Sequence, residues 1–215
     1  MTKHKIQPKS SDPNIYTDET GLERMIFFSD AVFAIAVTLL ALEIHLPELP
    51  PHASDAATLT ALQNLWPKYL SFMISFWAVG SYWLVHHRIF RKVSHYDGRL
   101  LMLNLALLLF VSFAPFPTAV LGEQGNRVST IFYACTMAAI GLVMTAIWWH
   151  VAAHDRLLTE PLAPSLFRSI LLHHLFVPGI FLASIGLAFW NPDWAQFSWL
   201  SIALSGVLWR KQPSR

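Results

Sequence analysis

The segment from Arg24 to Leu46, RMIFFSDAVFAIAVTLLALEIHL, constrains the fold more than any other part of the chain. It is apolar enough to cross a bilayer, yet it contains Arg24, Asp30 and Glu43. A charged side chain within a spanning helix is costly and by default marks a functional site. The segment therefore predicts a membrane helix in which Asp30 needs a partner inside protein.

The same segment has two different faces. Ile35, Leu39 and Leu42 follow one another at steps of four and three, so they stack on one stripe of a helix. At about 100° per residue, Asp30 lies roughly 140° away from Ile35. One face is therefore aliphatic with Thr38 at its margin, and the other contains the acid.

Composition identifies the class of protein. Of 215 residues, 54% are hydrophobic and 13% are charged, whereas soluble domains contain about 25% charged residues. We predict an all-α, polytopic membrane protein with a polar N-terminal tail at 1–22 and a membrane domain at 23–211. The net charge of +2 and the scattered basic residues do not favour a nucleic-acid partner. A single cysteine, Cys135, excludes an intramolecular disulfide.

Six runs are apolar enough to be considered as spans, since a span needs about 20 mainly apolar residues. The predicted spans are 24–46, 67–90, 99–121, 128–153, 166–190 and 194–210. Pro115, Pro117 and Pro178 fall within spans and should kink or locally open them.

Charge predicts the orientation of these spans. If both termini are cytoplasmic, all of the 15 Lys and Arg residues except Lys68 and Arg127 lie on the inner side. Cytoplasmic loops of membrane proteins carry such an excess of positive charge. The sequence therefore predicts a multi-pass protein of the cell membrane, in contact with the lipid bilayer, with both termini in the cytoplasm.

Asp30 has several candidate partners on its own helix and on the next two spans: Arg24, Ser29, Trp83, His87 and Asn104. Trp83 and His87 are four residues apart and share a helix face. The network could form a proton or ion relay, or it could be a structural clasp that fixes the first helix. We favour the clasp, because buried charges usually exist in pairs.

The aliphatic stripe also has two interpretations. It could pack against helices or lipid, which periodicity alone favours, or it could narrow a pore, since apolar constrictions gate channels by dewetting. Thr38 could offer its hydroxyl to a passing cation or bond its own backbone. Glu43 could concentrate cations at an outer mouth or be a solvated end group.

Histidine supplies a rival function. Ten histidines are present, including the pairs His86–His87, His150 with His154, and His173–His174. Such pairs could ligate haem, which would make the chain a six-helix membrane haem or redox protein. No arrangement of a nucleophile with a base is found, so no catalytic residue and no enzyme activity is predicted. Nor is a metal site or cofactor predicted.

A resemblance adds to this interpretation. The pattern of Arg24, Phe28, Ser29 and Asp30, followed by AVFAIAVTLLALEIHLP, closely resembles the signature of the transmembrane protein 175 family, in its bacterial single-repeat form. This family is known as the endosomal/lysosomal potassium channels. Trp83, His87, Phe90, Asn104 and the segment FAPFP agree more loosely with it.

The resemblance implies a fold and a function. It implies a potassium-permeable leak channel with six spans per subunit, assembled as a homotetramer around an axis lined by the first helices. It places Ile35, Leu39 and Leu42 at hydrophobic constrictions and Thr38 at the position linked to potassium preference. Arg24, Phe28, Ser29 and Asp30 would anchor the first helix to its neighbours, and the permeant ion would be K+.

Overall fold

The computed structural model describes residues 15–154, 157–160 and 164–202. Within these residues the chain is almost entirely helical. The helices are α1 Glu19–Leu42, α2 Asp55–Asn64, α3 Trp66–Phe90, α4 Gly98–Phe113, α5 Pro115–Gln124, α6 Arg127–Ala152, α7 Pro164–Trp190 and α8 Pro192–Ser198. Two short strands, β1 Ile15–Tyr16 and β2 Tyr96–Asp97, complete the described fold.

The first helix begins earlier and ends earlier than the apolar run at 24–46. Asp18 caps α1, since its carboxylate accepts hydrogen bonds from the backbone N–H groups of Thr20 and Gly21. This cap moves the start to Glu19, within the predicted polar tail, and residues 1–14 of that tail lie outside the described residues. At the other end α1 stops at Leu42, so Glu43 follows its last turn.

The predicted third span is two helices. Pro115 and Pro117 lack backbone donors, so the α-helical ladder is interrupted where α4 meets α5 at Ala114. The two pieces together, Gly98–Gln124, are still long and apolar enough to cross a membrane. Gly125 then closes α5 in the left-handed conformation, with a φ of 54°.

The bundle core is centred on α6. This helix packs most extensively against α7 and also contacts α4 and α5. Its side chains Tyr133, Met137, Ile140, Ile147 and Trp148 are buried almost completely. Because α6 has few exposed positions, it forms the central column against which α3, α4, α5 and α7 pack.

Among the described residues, four helices are long and apolar enough to cross a membrane: Glu19–Leu42, Gly98–Gln124, Arg127–Ala152 and Ile170–Trp190. The described residues thus form a multi-pass membrane fold. The helix α3 is 25 residues long but carries polar side chains along its length, including Ser71, Ser75, His86 and His87. The sixth predicted span is described only up to Ile202, and residues 203–210 lie outside the described residues.

Two features were not expected from the sequence. The helix α2 lies in the predicted outer loop and is capped by Ser54, whose hydroxyl accepts a hydrogen bond from the backbone N–H of Ala57. The strands β1 and β2 pair antiparallel, with Ile15 opposite Asp97 and Tyr16 opposite Tyr96. The pairing connects the segment before α1 to the segment before α4.

Candidate functional site

The helix α1 presents two distinct faces in the structure of the single chain. One face packs into the bundle through Leu22, Met25, Ser29, Phe33, Ala36 and Leu40. The aliphatic stripe lies outside this contact, with Ile35 58%, Leu39 38% and Leu42 65% exposed. The described part of the chain therefore leaves the stripe open to lipid, another subunit or the water of a pore.

Thr38 lies on the exposed side of α1, beside the stripe. Its hydroxyl donates a hydrogen bond of 2.8 Å to the carbonyl of Ile35 on the preceding turn. This is the local backbone bond that threonine commonly makes in a spanning helix. The hydroxyl proton is thereby committed, while the lone pairs of the oxygen remain on the exposed side.

Asp30 contacts the second predicted span directly. The indole N–H of Trp83 on α3 donates a hydrogen bond of 2.8 Å to a carboxylate oxygen of Asp30. The ring of His87 lies one turn further along α3, with its centroid 5.8 Å from that of Trp83. The carboxylate is half-buried and Trp83 is partly exposed, so this contact lies at the margin of the subunit.

Ser29 and Asn104 form a second, fully buried contact. The side-chain amide of Asn104 on α4 donates to the hydroxyl of Ser29 at 2.9 Å. That hydroxyl donates in turn to the carbonyl of Met25 at 2.8 Å. The carbonyl oxygen of Asn104 lies 3.0 Å from Nε2 of His86. Because a carbonyl can only accept, His86 carries its proton on Nε2.

The ring of His86 is enclosed by aromatic side chains. It stacks on Phe90, with centroids 4.2 Å apart, and lies 5.6 Å from the ring of Phe33 on α1. Three helices therefore converge on this one imidazole: α1, α3 and α4. Its other nitrogen, Nδ1, is buried and has no hydrogen-bond partner within the described part of the chain.

The structure thus brings together some of the predicted anchoring residues and not others. Asp30 meets Trp83, and Ser29 meets Asn104. Arg24 is exposed, and no ion pair joins it to Asp30 among the described residues, since the two lie on different faces of α1. Phe28 is also exposed.

His86 is the member of the network that sequence reasoning missed. It takes the buried place for which His87 was the candidate. A signal for it was present, because Tyr82, His86 and Phe90 follow at steps of four and are all buried, whereas Trp83 and His87 share a more exposed face.

Glu43 lies at the far end of α1 as its C-cap. It lines a small recess together with Lys68 and Ser71 of α3. The ammonium of Lys68 pairs with the carboxylate of Glu123 on α5 at 3.1 Å. The end of the stripe is therefore bordered by charged side chains of both signs.

The described residues contain no group of three or more His, Cys, Asp or Glu side chains that could hold a metal ion. Two of the histidines considered for haem are engaged by protein groups. His86 donates to Asn104, and His150 on α6 donates to the carboxylate of Asp97. The side chain of His173 lies outside the described residues.

Comparison with known proteins places the chain in a family. Residues 24–115 match the family model described as "Endosomal/lysosomal potassium channel TMEM175". A relative from Chamaesiphon minutus, named a potassium channel, is 38% identical over 194 residues, which are 88% of this chain and 91% of that protein. A Streptomyces collinus relative, also named a potassium channel, is 37% identical over 62% of this chain and 65% of its own.

A solved structure gives the same answer for the fold. The crystal structure of a lysosomal potassium-selective channel TMEM175 homologue from Chamaesiphon minutus superposes with a TM-score of 0.78 at 33% sequence identity. The match covers 90% of this chain and 100% of that one. On the combined evidence of signature, relatives and fold, the chain belongs to the TMEM175 family.

Proposed function

We propose that this chain forms a potassium-permeable cation channel, a passive leak in which the first helices of four identical subunits line the pore. The observation that carries the proposal is the exposure of the Ile35, Leu39 and Leu42 stripe on a helix whose opposite face is firmly packed. The names of the bacterial relatives support potassium as the permeant ion.

The exposed stripe supports a ring of subunits, and the family resemblance supports four of them. One chain supplies a single stripe, and a single stripe cannot surround an ion. Identical subunits usually close into a ring by cyclic symmetry. In such a ring the Ile35, Leu39 and Leu42 side chains form successive apolar constrictions, and an ion must shed part of its water to pass them.

The anchoring network has a defined task in this channel. Asp30 with Trp83, and Ser29 with Asn104 and His86, join α1 to α3 and α4. They fix the rotation of α1 about its own axis, which decides which residues face the pore. This favours the clasp over the ion relay, because the bonds of Ser29 and Asn104 are buried away from the stripe.

Orientation in the membrane completes the proposal. We assign six spans, with α3 and the segment beginning at α8 added to the four apolar helices, and both termini in the cytoplasm. The charge distribution supports this assignment, since only Lys68 and Arg127 then lie outside. Glu43 and the pair of Lys68 with Glu123 would border the outer mouth.

Potassium flux into liposomes tests the proposal. Wild-type protein should dissipate a potassium gradient, and Ile35→Asn should raise the flux or lower the preference for potassium over sodium, because a wetter ring demands less dehydration. The matched control is Leu109→Asn, because Leu109 is 66% exposed, somewhat more than Ile35, but lies on α4 and not on α1. Equal effects of the two substitutions, or no flux from the wild type, would overturn the pore assignment.

A further inference from the structure

The end of the bundle where α1 begins contains a set of contacts that the proposed pore does not use. The strands β1 and β2 pair there, and the rings of Tyr16 and Tyr96 are stacked, with centroids 5.1 Å apart. A strand pair of two residues each is not stable alone. Other contacts must hold β2 in place, and we refer to β1, β2 and His150 together as the strand clamp.

The strand clamp is joined directly to α1. Only Thr17 and Asp18 separate β1 from the helix, and Asp18 is the N-cap. The Tyr96 side chain also lies against the first turn, where a methyl group added at Gly21 would overlap the Tyr96 hydroxyl. A displacement of β2 would therefore be transmitted to the base of α1 both through the strand pairing and through this close contact.

The carboxylate of Asp97 holds β2 to two other helices. One oxygen accepts a hydrogen bond of 2.7 Å from the backbone N–H of Leu100, which caps α4. Nε2 of His150, in the last turn of α6, lies 2.9 Å and 3.0 Å from the two carboxylate oxygens. An ionised carboxylate can only accept a hydrogen bond, so His150 donates from Nε2 to Asp97. One side chain thus connects β2 with α4 and α6.

The surroundings favour an ionised Asp97. Burial raises the pKa of its carboxyl group. The hydrogen bonds from Leu100 and His150 together lower this pKa by more than burial raises it, so the net pKa lies below the ordinary value. His154 stands behind His150, with ring centroids 4.7 Å apart, and bonds the His150 carbonyl at 2.8 Å.

We propose that Asp97 and His150 are positioning residues for the first helix: they fix β2, and β2 fixes the base of α1 in the assembled channel. This inference rests on the proposed pore function for its effect on ions. Neither residue touches the stripe, so both act through the strand clamp. In the proposed tetramer, the first turns of the four α1 helices keep a set separation only while the contacts of the strand clamp are intact.

The first experiment measures the clamp without any ion flux. In His150→Phe, which keeps a ring but removes the donor, the backbone amides of Tyr16 and of the first turn of α1 should exchange hydrogen about tenfold faster, because a charge-assisted bond has been lost. Asp97→Asn should act in the same direction. The matched control is His95→Phe, since His95 directly precedes β2 but its ring bonds Ser94 and not Asp97. Unchanged exchange in both Asp97 and His150 variants would overturn the clamp.

The second experiment measures the effect of the strand clamp on the ion selectivity of the channel. His150→Phe should lower potassium-over-sodium preference about threefold in liposomes while the tetramer remains intact on size exclusion, because the constriction loses its alignment. Tyr16→Cys with Tyr96→Cys, added to His150→Phe in a Cys135→Ala background and oxidised to a disulfide, should restore the preference, and a reductant should abolish the rescue. Residues opposite each other in a strand pair have the separation that a disulfide requires.

The two experiments separate the two proposals. If exchange rises but wild-type liposomes show no flux, the strand clamp stands and the proposed function fails. If wild-type flux is potassium-selective but His150→Phe is unaltered, or the disulfide fails to rescue it, the positioning role is wrong while the channel stands.

Discussion

Trp83 donates its indole hydrogen bond to Asp30 across the contact of α3 with α1, over 2.8 Å. Both side chains are partly exposed at the margin of the subunit, so the bond is a weaker clasp than a fully buried ion pair would be. It nevertheless connects the acid of the first helix with a neighbouring helix, and the strength of this bond can be measured.

Replacement of Asp30 should destabilise the folded channel moderately. Asp30→Leu removes the acceptor of the Trp83 N–H, and we expect a loss of about 1–2 kcal/mol in the free energy of unfolding. Asp30→Asn is the matched variant, because its amide oxygen can still accept from Trp83. Thermal unfolding in detergent should rank wild type, Asp30→Asn and Asp30→Leu in that order. Equal stability of all three would show that the bond contributes nothing.

The buried contact of Asn104 should matter more. Asn104→Leu leaves Nε2 of His86 without its acceptor in the core and removes the bond that the Ser29 hydroxyl accepts, and we expect a cost of about 3 kcal/mol. Ser112→Ala is the control on the same helix, because its hydroxyl bonds only the carbonyl of Leu109 and is exposed. Denaturation midpoints in detergent measure both. A stable Asn104→Leu tetramer would argue against the network as an anchor of α1.

Two glycine substitutions should have opposite signs. A Cβ at Gly141 on α6 would lie 2.9 Å from Cβ of Pro178 and 2.9 Å from the hydroxyl of Tyr82, so Gly141→Ala should push α3 and α7 away from α6 and lower the melting temperature. Gly186 on α7 has open space at its Cβ position. Gly186→Ala should therefore be neutral or stabilising by up to about 1 kcal/mol through helix propensity. If both substitutions lowered the melting temperature, or both raised it, the close crossing of α6 with α3 and α7 at Gly141 would be contradicted.

Asp97 should make stability depend on pH in the acid range. Its pKa is lowered in the folded state, so its contribution is present above the unfolded pKa of about 4 and is lost as pH falls through the folded pKa. Wild type should lose unfolding free energy below about pH 4 more steeply than Asp97→Asn, which has no proton to bind. Denaturant titrations at a series of pH values measure this. Parallel curves would mean that Asp97 is not specifically stabilised.

The sequence predicted the helical membrane fold because long apolar runs bounded by charge have a direct physical meaning. It also predicted Asp30, Trp83, Ser29 and Asn104 as groups that need partners, since polar atoms in such runs must be satisfied. It indicated His87 and missed the buried His86, because each shares a stripe with other aromatic residues and spacing does not say which stripe is buried. The partner of Asp30 was left open among several donors for the same reason.

Other features depended on contacts that are distant in the chain. The pair β1 and β2 consists of two residues on each strand, too few for an alternating pattern, and forms only because the bundle brings Tyr16 to Tyr96. The break at Ala114 was foreseeable from Pro115 and Pro117. The helix α2 depended on one capping serine, Ser54, in a loop without periodicity.

The most direct measurement of the central claim is thiol modification of the stripe during flux. In a Cys135→Ala background, Leu39→Cys should be blocked by a charged, water-soluble thiol reagent, because the side chain faces the ion pathway. The same reagent should leave the potassium flux of the Leu109→Cys variant, which is substituted on α4, unchanged. The account predicts loss of potassium flux in the first variant alone. If Leu39→Cys channels keep full flux after exposure to the reagent, or if Leu109→Cys is blocked equally, the first helix does not line the pore.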